Sequence, residues 1–201
     1  MDIKEKIMIT AFINFAKKGY DGVSLNDILK EADVSKGGFY HHYPSKEELF
    51  RGMMDKIFFS FINNFCDILE DDNTTIAEKT KILKNMPLDI TGFLPEKIKN
   101  NENFDGYYIY YSLLNEAIKK FNDIHERIAD SYKRMRLSYE KMLNEGQKRG
   151  EIRKDIDCNA WAFIIISMIE GAFLMGAIDK NIDLKKIFPK ITLNILKILS
   201  K

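Results

Sequence analysis

Ile3, Ile7, Ala11 and Phe15 recur every four positions, with Lys4 and Lys6 on the other face. That pattern predicts an amphipathic helix that stops near Gly19. Ser24 then opens the run SLND, a capping box in which Ser24 accepts from the amide of Asp27 while Asp27 reaches back. The second helix runs to about Ala32. Asp33, Val34 and Ser35 form a three-residue turn, with Ser35 placed as the N-cap of a third helix over about 36 to 43 that Pro44 ends. Ser45 opens SKEE, another capping box, and the pairs Leu49/Phe50, Met53/Met54, Ile57/Phe58, Phe61/Ile62 and Phe65/Cys66 carry a fourth helix to about Leu69. Roughly 24 residues at 1.5 Å each make a rod of about 36 Å, long enough to connect two bodies.

Thr74 or Thr75 caps a fifth helix to about Asn85, and residues 86 to 104, with Pro87, Gly92, Pro95 and several Asn, read mostly as loop. A sixth helix spans about 105 to 121 and a seventh about 123 to 149, closed by Gly150. Asp157 caps an apolar eighth, and the ninth, about 184 to 200, carries Ile187, Ile191, Ile195 and Leu199 on one stripe with Pro189 near its first turns. The expected fold is all-α with about nine helices.

Composition supports a packed globular protein: 45% hydrophobic, 30% charged with both signs mixed, and few Pro or Gly among 201 residues. The net charge of +1 gives no global attraction to nucleic acid or to anionic membranes, so any such binding needs a local patch. Cys66 and Cys158 stand far apart without CxxC spacing, which fits a reducing cytosol and neither a disulfide framework nor a zinc site. Asp2, Lys4, Glu5 and Lys6 interrupt the first apolar positions, so no secretory signal is expected and the protein is placed in the cytoplasm. Residues 160 to 178 are nearly long enough to span a bilayer. Glu170 near the middle and the small residues Gly171, Ala172 and Gly176 weigh for a buried helix and no membrane.

Helix, three-residue turn and short helix make a helix-turn-helix, whose second helix lies in the DNA major groove with its N-terminal residues at base edges. This accounts for two adjacent glycines in SKGGFYHHYPSK, where each costs roughly 1 kcal/mol relative to Ala. Lys36, Gly37 and Gly38 come closest to DNA, and glycine lets the backbone approach. The helix N-terminus adds free amides and partial positive charge. Helical geometry puts Lys36, Gly37, Tyr40 and His41 on one face and Phe39 and Tyr43 on the opposite one, anchored into Leu25, Ile28 and Val34. Neighbouring His41 and His42 diverge by about 100° on a helix, which argues against metal ligation.

The stretch GYDGVSLNDILKEADVSKGGFYHHYPSKEELF resembles the DNA-binding segment of the tetracycline-repressor (TetR) family of transcription regulators. The resemblance covers about residues 5 to 50 and rests on Gly19-Tyr20, Ser24, Asp27-Ile28, Ala32, Val34-Ser35, Lys36-Gly37, Phe39-Tyr40, His42 and Ser45-Lys46 at uninterrupted spacing. It implies a three-helix DNA-binding domain, here 1–50, and a larger effector-binding and dimerisation domain, 51–201. By the resemblance Ser24, Tyr40, His42 and Lys46 contact phosphates, Lys36 and Gly37 lie near bases, and Ser35, Gly38 and His41 complete the DNA-binding set. Asp33 departs from the family, which usually has Gly there; Asp tolerates the left-handed conformation at a cost of about 1 kcal/mol. Residues 1–50 hold seven Lys and eight Asp or Glu, so binding depends on placement, with Lys4, Lys6, Lys36 and Lys46 facing DNA and the acids turned away.

The second domain is rich in aromatics. Phe58, Phe61, Phe65, Phe104, Tyr107, Tyr108, Tyr110, Tyr111 and Phe121 together suggest an apolar cavity with hydroxyl groups at its wall, and Phe58, Phe61, Phe65, Tyr107, Tyr108, Tyr111 and Trp161 are the expected effector contacts among the aromatics. Glu116 and His125 either pair, touch a polar ligand or serve the fold. A small apolar or aromatic effector is expected, and no cofactor or metal. The eighth helix is apolar on nearly all sides and would best face a partner subunit, and the resemblance implies a homodimer built largely from the last two helices. Ile169, Ala172, Phe173, Gly176, Ile191 and Ile195 are the expected contacts. The functional expectation is a repressor released from a pseudopalindromic operator in double-stranded DNA by the effector. An enzyme using Glu116 and His125 as acid and base is one rival reading, weakened because no nucleophile, base and orienter stand together, and a ligand-independent DNA-binding module is a second.

Overall fold

The computed structural model describes residues 2–85 and 106–200; the expected loop at 86–104 and the side chain of Tyr107 lie outside the described residues. Among the described residues the chain forms nine helices and no strand. They are α1 (Ile3–Lys18), α2 (Leu25–Glu31), α3 (Lys36–His42), α4 (Lys46–Met54, a π-helical turn Asp55–Phe59, then Ser60–Glu70), α5 (Ile76–Asn85), α6 (Gly106–Lys120), α7 (Asn122–Arg149), α8 (Cys158–Ile178) and α9 (Leu184–Leu199). Local side-chain chemistry sets most of the boundaries. Ser24 accepts from the Asp27 amide while Asp27 returns to the Ser24 amide, so the capping box forms as expected. Ser35, Ser45, Thr75 and Asp157 each accept from an amide two or three residues on. Gly19 and Gly150 close α1 and α7 at φ of 70° and 75°, a conformation that favours glycine.

α4 departs from the expected uninterrupted α-helix. The Ser60 amide donates to the Asp55 carbonyl five residues back, and the Ser60 hydroxyl donates to the same oxygen at 2.8 Å. The turn so inserted shifts the face of everything after it by about one residue, or about 100°.

The contacts divide into two units. The first comprises residues 2–60 and 106–126. In it α1 lies against α2, α3, α4 and α6, and the core holds Phe12, Phe15, Ile28, Phe39, Leu49, Phe50 and Met53, all buried. The second comprises residues 61–85 and 127–200. There α9 packs on α8 and on α5, and Leu69, Leu143, Ile152 and Leu199 are buried. Arg134 reaches Asn63, Asp67 and Glu70 at 2.6 to 3.1 Å, tying α7 to the end of α4.

Candidate nucleic-acid interface

The site begins in the turn between α2 and α3. Val34 N–H donates to Leu29 O at 3.0 Å and Asp33 N–H to Lys30 O at 3.3 Å, which bends the chain sharply after α2. Asp33 takes φ 48°, alone among the described non-glycine residues in that region, so the chain adopts the left-handed turn without the usual glycine. The Ser35 hydroxyl then accepts from Gly38 N–H at 3.1 Å and starts α3.

Seven residues long, α3 is fastened by one face. Phe39 and Tyr43 are buried with ring centroids 5.9 Å apart, and burial, with Asp2 nearby, pushes the Tyr43 phenol up to about 12. The opposite face is free. Lys36, Gly37, Tyr40 and His41 are all exposed, Ser35 is exposed beside them, and His42 is half-buried with its ring 4.9 Å from that of His41.

The two glycines separate here. A Cβ on Gly38 would stand 3.1 Å from Val34 Cγ1 and 3.3 Å from the capping Ser35 Oγ, so it would fit only if Val34 gave way by a few tenths of an ångström. A Cβ on Gly37 would meet nothing within 4 Å. Packing within the chain gives no reason for Gly37.

Ser24 is exposed, but its hydroxyl is committed to Asp27 Oδ2 at 2.6 Å, and these bonds hold the Asp27 carboxyl below its usual range. Lys46 turns inward. Its Nζ donates to the Tyr20 carbonyl at 2.6 Å and sits 4.0 Å over the Tyr20 ring and 5.7 Å from that of Phe15, where burial lowers the pKa of the ammonium. The expected phosphate contact is thus engaged within the chain.

Tyr20 is the centre of an aromatic cluster in the first unit. Its ring lies 5.1 to 5.4 Å from those of Phe15, Phe50 and Phe121, and Phe50 stacks on Phe121 at 5.1 Å. Charged groups rim it: Glu116 accepts from Tyr20 N–H at 3.3 Å, Lys120 pairs with Asp21, and Arg51 binds both oxygens of Asp123 at 2.9 and 3.2 Å. Sequence reasoning missed this cluster, although Phe15, Tyr20 and Phe50 all lie in the segment that carries the resemblance.

The expected effector residues fall into two groups. In the first unit Phe58 is buried and stacks on Tyr110 at 6.0 Å, Tyr111 lies 5.3 Å from Tyr110, and Tyr108 is exposed. Glu116 serves Tyr20 and does not pair with His125, which is exposed. In the second unit Phe61 stacks on Phe65 at 6.4 Å, Phe65 lies 5.8 Å from Tyr139, and Trp161 is half-buried. An open cavity of about 520 Å³ on this unit is lined by Glu70, Asp130, Lys133, Arg134, Leu137, Ser138 and Lys141. It is rimmed by charge and holds none of the expected aromatics.

The expected dimer contacts also divide. Ala172, Phe173 and Gly176 face inward: Phe173 lies 5.1 Å from Phe188, and a Cβ on Gly176 would reach within 2.7 Å of Leu184 Cδ1. Ile169, Ile191 and Ile195 are half-buried. The exposed apolar side chains are others, namely Phe163, Ile164, Leu174, Met175 and Ile178 on α8 and Ile187, Leu193 and Ile198 on α9. α8 is long and apolar enough to cross a membrane, with a mean hydropathy of 2.0.

Comparison with known proteins bears on the same segments. Residues 7–53 match the family described as bacterial regulatory proteins of the tetR family, and residues 99–186 match a tetracyclin repressor-like C-terminal domain. The chain is 30% identical over 136 residues to the biofilm operon icaADBC HTH-type negative transcriptional regulator IcaR of Staphylococcus epidermidis, covering 61% of this chain and 71% of the relative. The chain belongs to the TetR family. A second relative, the HTH-type transcriptional repressor DhaR of Mycobacterium sp. strain GP1, is 25% identical over 83% of this chain and 78% of its own length. The fold matches that of the SmeT–triclosan complex with a TM-score of 0.72, over 99% of this chain and 92% of that one, at 15% identity. As a TetR-family protein the chain is a DNA-binding transcriptional regulator and not an enzyme.

Proposed function

We propose that this regulator is a cytoplasmic homodimeric repressor that binds a pseudopalindromic operator and leaves it when a small apolar or aromatic effector binds. One observation carries the DNA reading. A short helix is anchored through Phe39 and Tyr43 and presents Lys36, Gly37, Tyr40 and His41 to solvent, with an open glycine at the point of nearest approach. Lys36 and Gly37 read base edges, while Tyr40, His42 and Ser35 meet the backbone. Residues 1–50 are the DNA-binding domain and 51–201 the effector-binding and dimerisation domain in this reading. The exposed apolar side chains of α8 and α9 support self-association through a two-fold interface, with half-sites one helical turn, about 34 to 36 Å, apart or a multiple of it. Two relatives are named as a negative regulator and a repressor, and the SmeT structure is a complex with triclosan, which supports the repressor and effector readings by analogy.

An effector that lowers operator affinity a hundredfold must favour the non-binding state by about 2.7 kcal/mol, and operator must weaken the effector by the same factor. The decisive experiment is selection of fragmented genomic DNA on the purified protein, followed by footprinting. Enrichment of fragments sharing an inverted repeat is the expected result. No enrichment over bulk DNA at physiological salt would refute the DNA reading.

A further inference from the structure

Lys46 stands where the family resemblance expects a phosphate contact, yet its ammonium is spent inside the first unit. Nζ donates to Tyr20 O at 2.6 Å and lies 4.0 Å over the Tyr20 ring, within the range in which a cation is attracted to an aromatic face. The Tyr20 peptide is gripped from the other side as well, because its N–H donates to the Glu116 carboxylate. Three pieces of chain therefore meet at this residue: the first turn of α4 through Lys46, the link between α1 and α2 through Tyr20, and the last turns of α6 through Glu116. The Tyr20 ring fills the space between them, against Phe15, Phe50 and Phe121. Ser24 and α2 follow Tyr20 within a few residues, so whatever fixes the Tyr20 carbonyl also fixes where the helix-turn-helix begins. Lys36, in contrast, is exposed on the outer face of α3.

We propose that Lys46 is a positioning residue, a cation that clamps the Tyr20 turn to α4 and so sets the placement of the helix-turn-helix, and that it does not itself neutralise a phosphate. The inference rests on the DNA-binding reading above. A lysine given over to a phosphate would loosen its hold on both the carbonyl and the ring, leaving the Tyr20 oxygen without the donor it has here. The clamp instead keeps the same partners with and without DNA.

The test uses the full chain and an operator-length duplex selected by the wild-type protein from random sequence. Affinity is measured across a salt series for wild type, Lys46→Met and Lys36→Ala. Neutralising one phosphate contributes about 0.9 to the slope of log affinity against log salt. Lys46→Met is expected to weaken binding by the same factor at every salt concentration and to keep the wild-type slope, with a lower thermal midpoint. Lys46→Arg, able to donate to the carbonyl and lie on the ring, is expected to recover both. Lys36→Ala is expected to flatten the slope. Amine labelling of the wild-type protein, read by mass spectrometry, gives a second measure that needs no variant: duplex should protect Lys36 and leave the labelling of Lys46 unchanged. A slope flattened by about 0.9 per subunit in Lys46→Met, or protection of Lys46 by duplex, would overturn the proposal while leaving the DNA-binding reading intact. Failure of the wild type to select any duplex would instead strike at that reading.

Discussion

Gly37→Ala should make the protein more stable and a poorer DNA binder, and the structure gives both signs. A Cβ at Gly37 meets nothing within 4 Å, so the methyl group brings no clash. Replacing Gly by Ala in a helix gains roughly 0.5 to 1 kcal/mol by restricting the unfolded chain. Gly37 is in the first turn of α3, so the lower end applies, and for a chain of this size that raises the thermal midpoint by about 1 to 3 °C. On DNA the methyl group stands on the face that approaches the groove, and holding the backbone off should cost on the order of tenfold in affinity, about 1.4 kcal/mol. Gly38→Ala supplies the contrast. Its Cβ would stand 3.1 Å from Val34 Cγ1, so any gain in stability should be smaller than that of Gly37→Ala. Thermal unfolding and anisotropy titration of a selected duplex, run on the same preparations, measure both quantities. Gly37→Ala that is stabilised yet binds as tightly as wild type would refute the close-approach argument, because no other reason for that glycine is visible in the fold.

Gly176→Leu should destabilise the packing of α8 on α9 by 1 to 3 kcal/mol or more, since even a Cβ would lie 2.7 Å from Leu184 Cδ1, and urea unfolding reads the loss. Phe163→Glu and Met175→Glu should leave a folded protein, both side chains being mostly exposed, but should turn a micromolar dimer into a monomer in sedimentation. Ser24→Ala should lose the cap that holds the Asp27 carboxyl below its ordinary range. The part due to the carboxylate is present above the unfolded carboxylate pKa, near 4, and vanishes as pH falls through the lowered value, so the gap between variant and wild type should narrow in acid denaturation to what the Ser24 cap of the Asp27 amide contributes.

Capping chemistry was legible in the sequence because it is local: Ser24 with Asp27 and Ser35 with Gly38 each span three residues. The left-handed Asp33 was expected from the resemblance to the family, which usually has Gly at that position. What escaped depends on distance along the chain. Lys46 finds its partner 26 residues back, inside a cage whose Phe121 wall comes from beyond the helix-turn-helix, and no spacing rule says which way a long flexible side chain turns. Gly176 was legible as a site of close approach, yet the neighbour turned out to be Leu184 of the same chain. The π-turn was not legible, because the apolar repeat around it is the same as that of the uninterrupted α1. Leu49, Met53, Ile57, Phe61 and Phe65 recur every four positions, and a repeat of four drifts by about 40° per step on an α-helix of 3.6 residues per turn. One wider turn takes up much of that drift, and Ile62, Cys66 and Leu69 stay buried beyond it.

The charge of the DNA-binding segment poses the last question: how seven Lys against eight acids can hold a polyanion. Much of the acidic charge is answered within the chain. Asp21 pairs with Lys120, Glu47 and Glu48 lie beside Arg51, Glu31 accepts from Asn14 at 2.6 Å with Lys18 at 3.9 Å, and Asp27 is bound by Ser24. Two of those cations, Arg51 and Lys120, come from outside residues 1–50, so counting that segment alone overstates its negative field. If Lys46 is withheld, the lysines expected to face DNA on each head are Lys4, Lys6 and Lys36. Three per head, or six per dimer, predict a slope of log affinity against log salt of about −5, whereas adding Lys46 from both heads predicts about −7. A measured slope of −7 or steeper would mean that the Tyr20 clamp opens on DNA, and a slope near −5 would leave the remaining affinity to the α3 N-terminus and to base contacts.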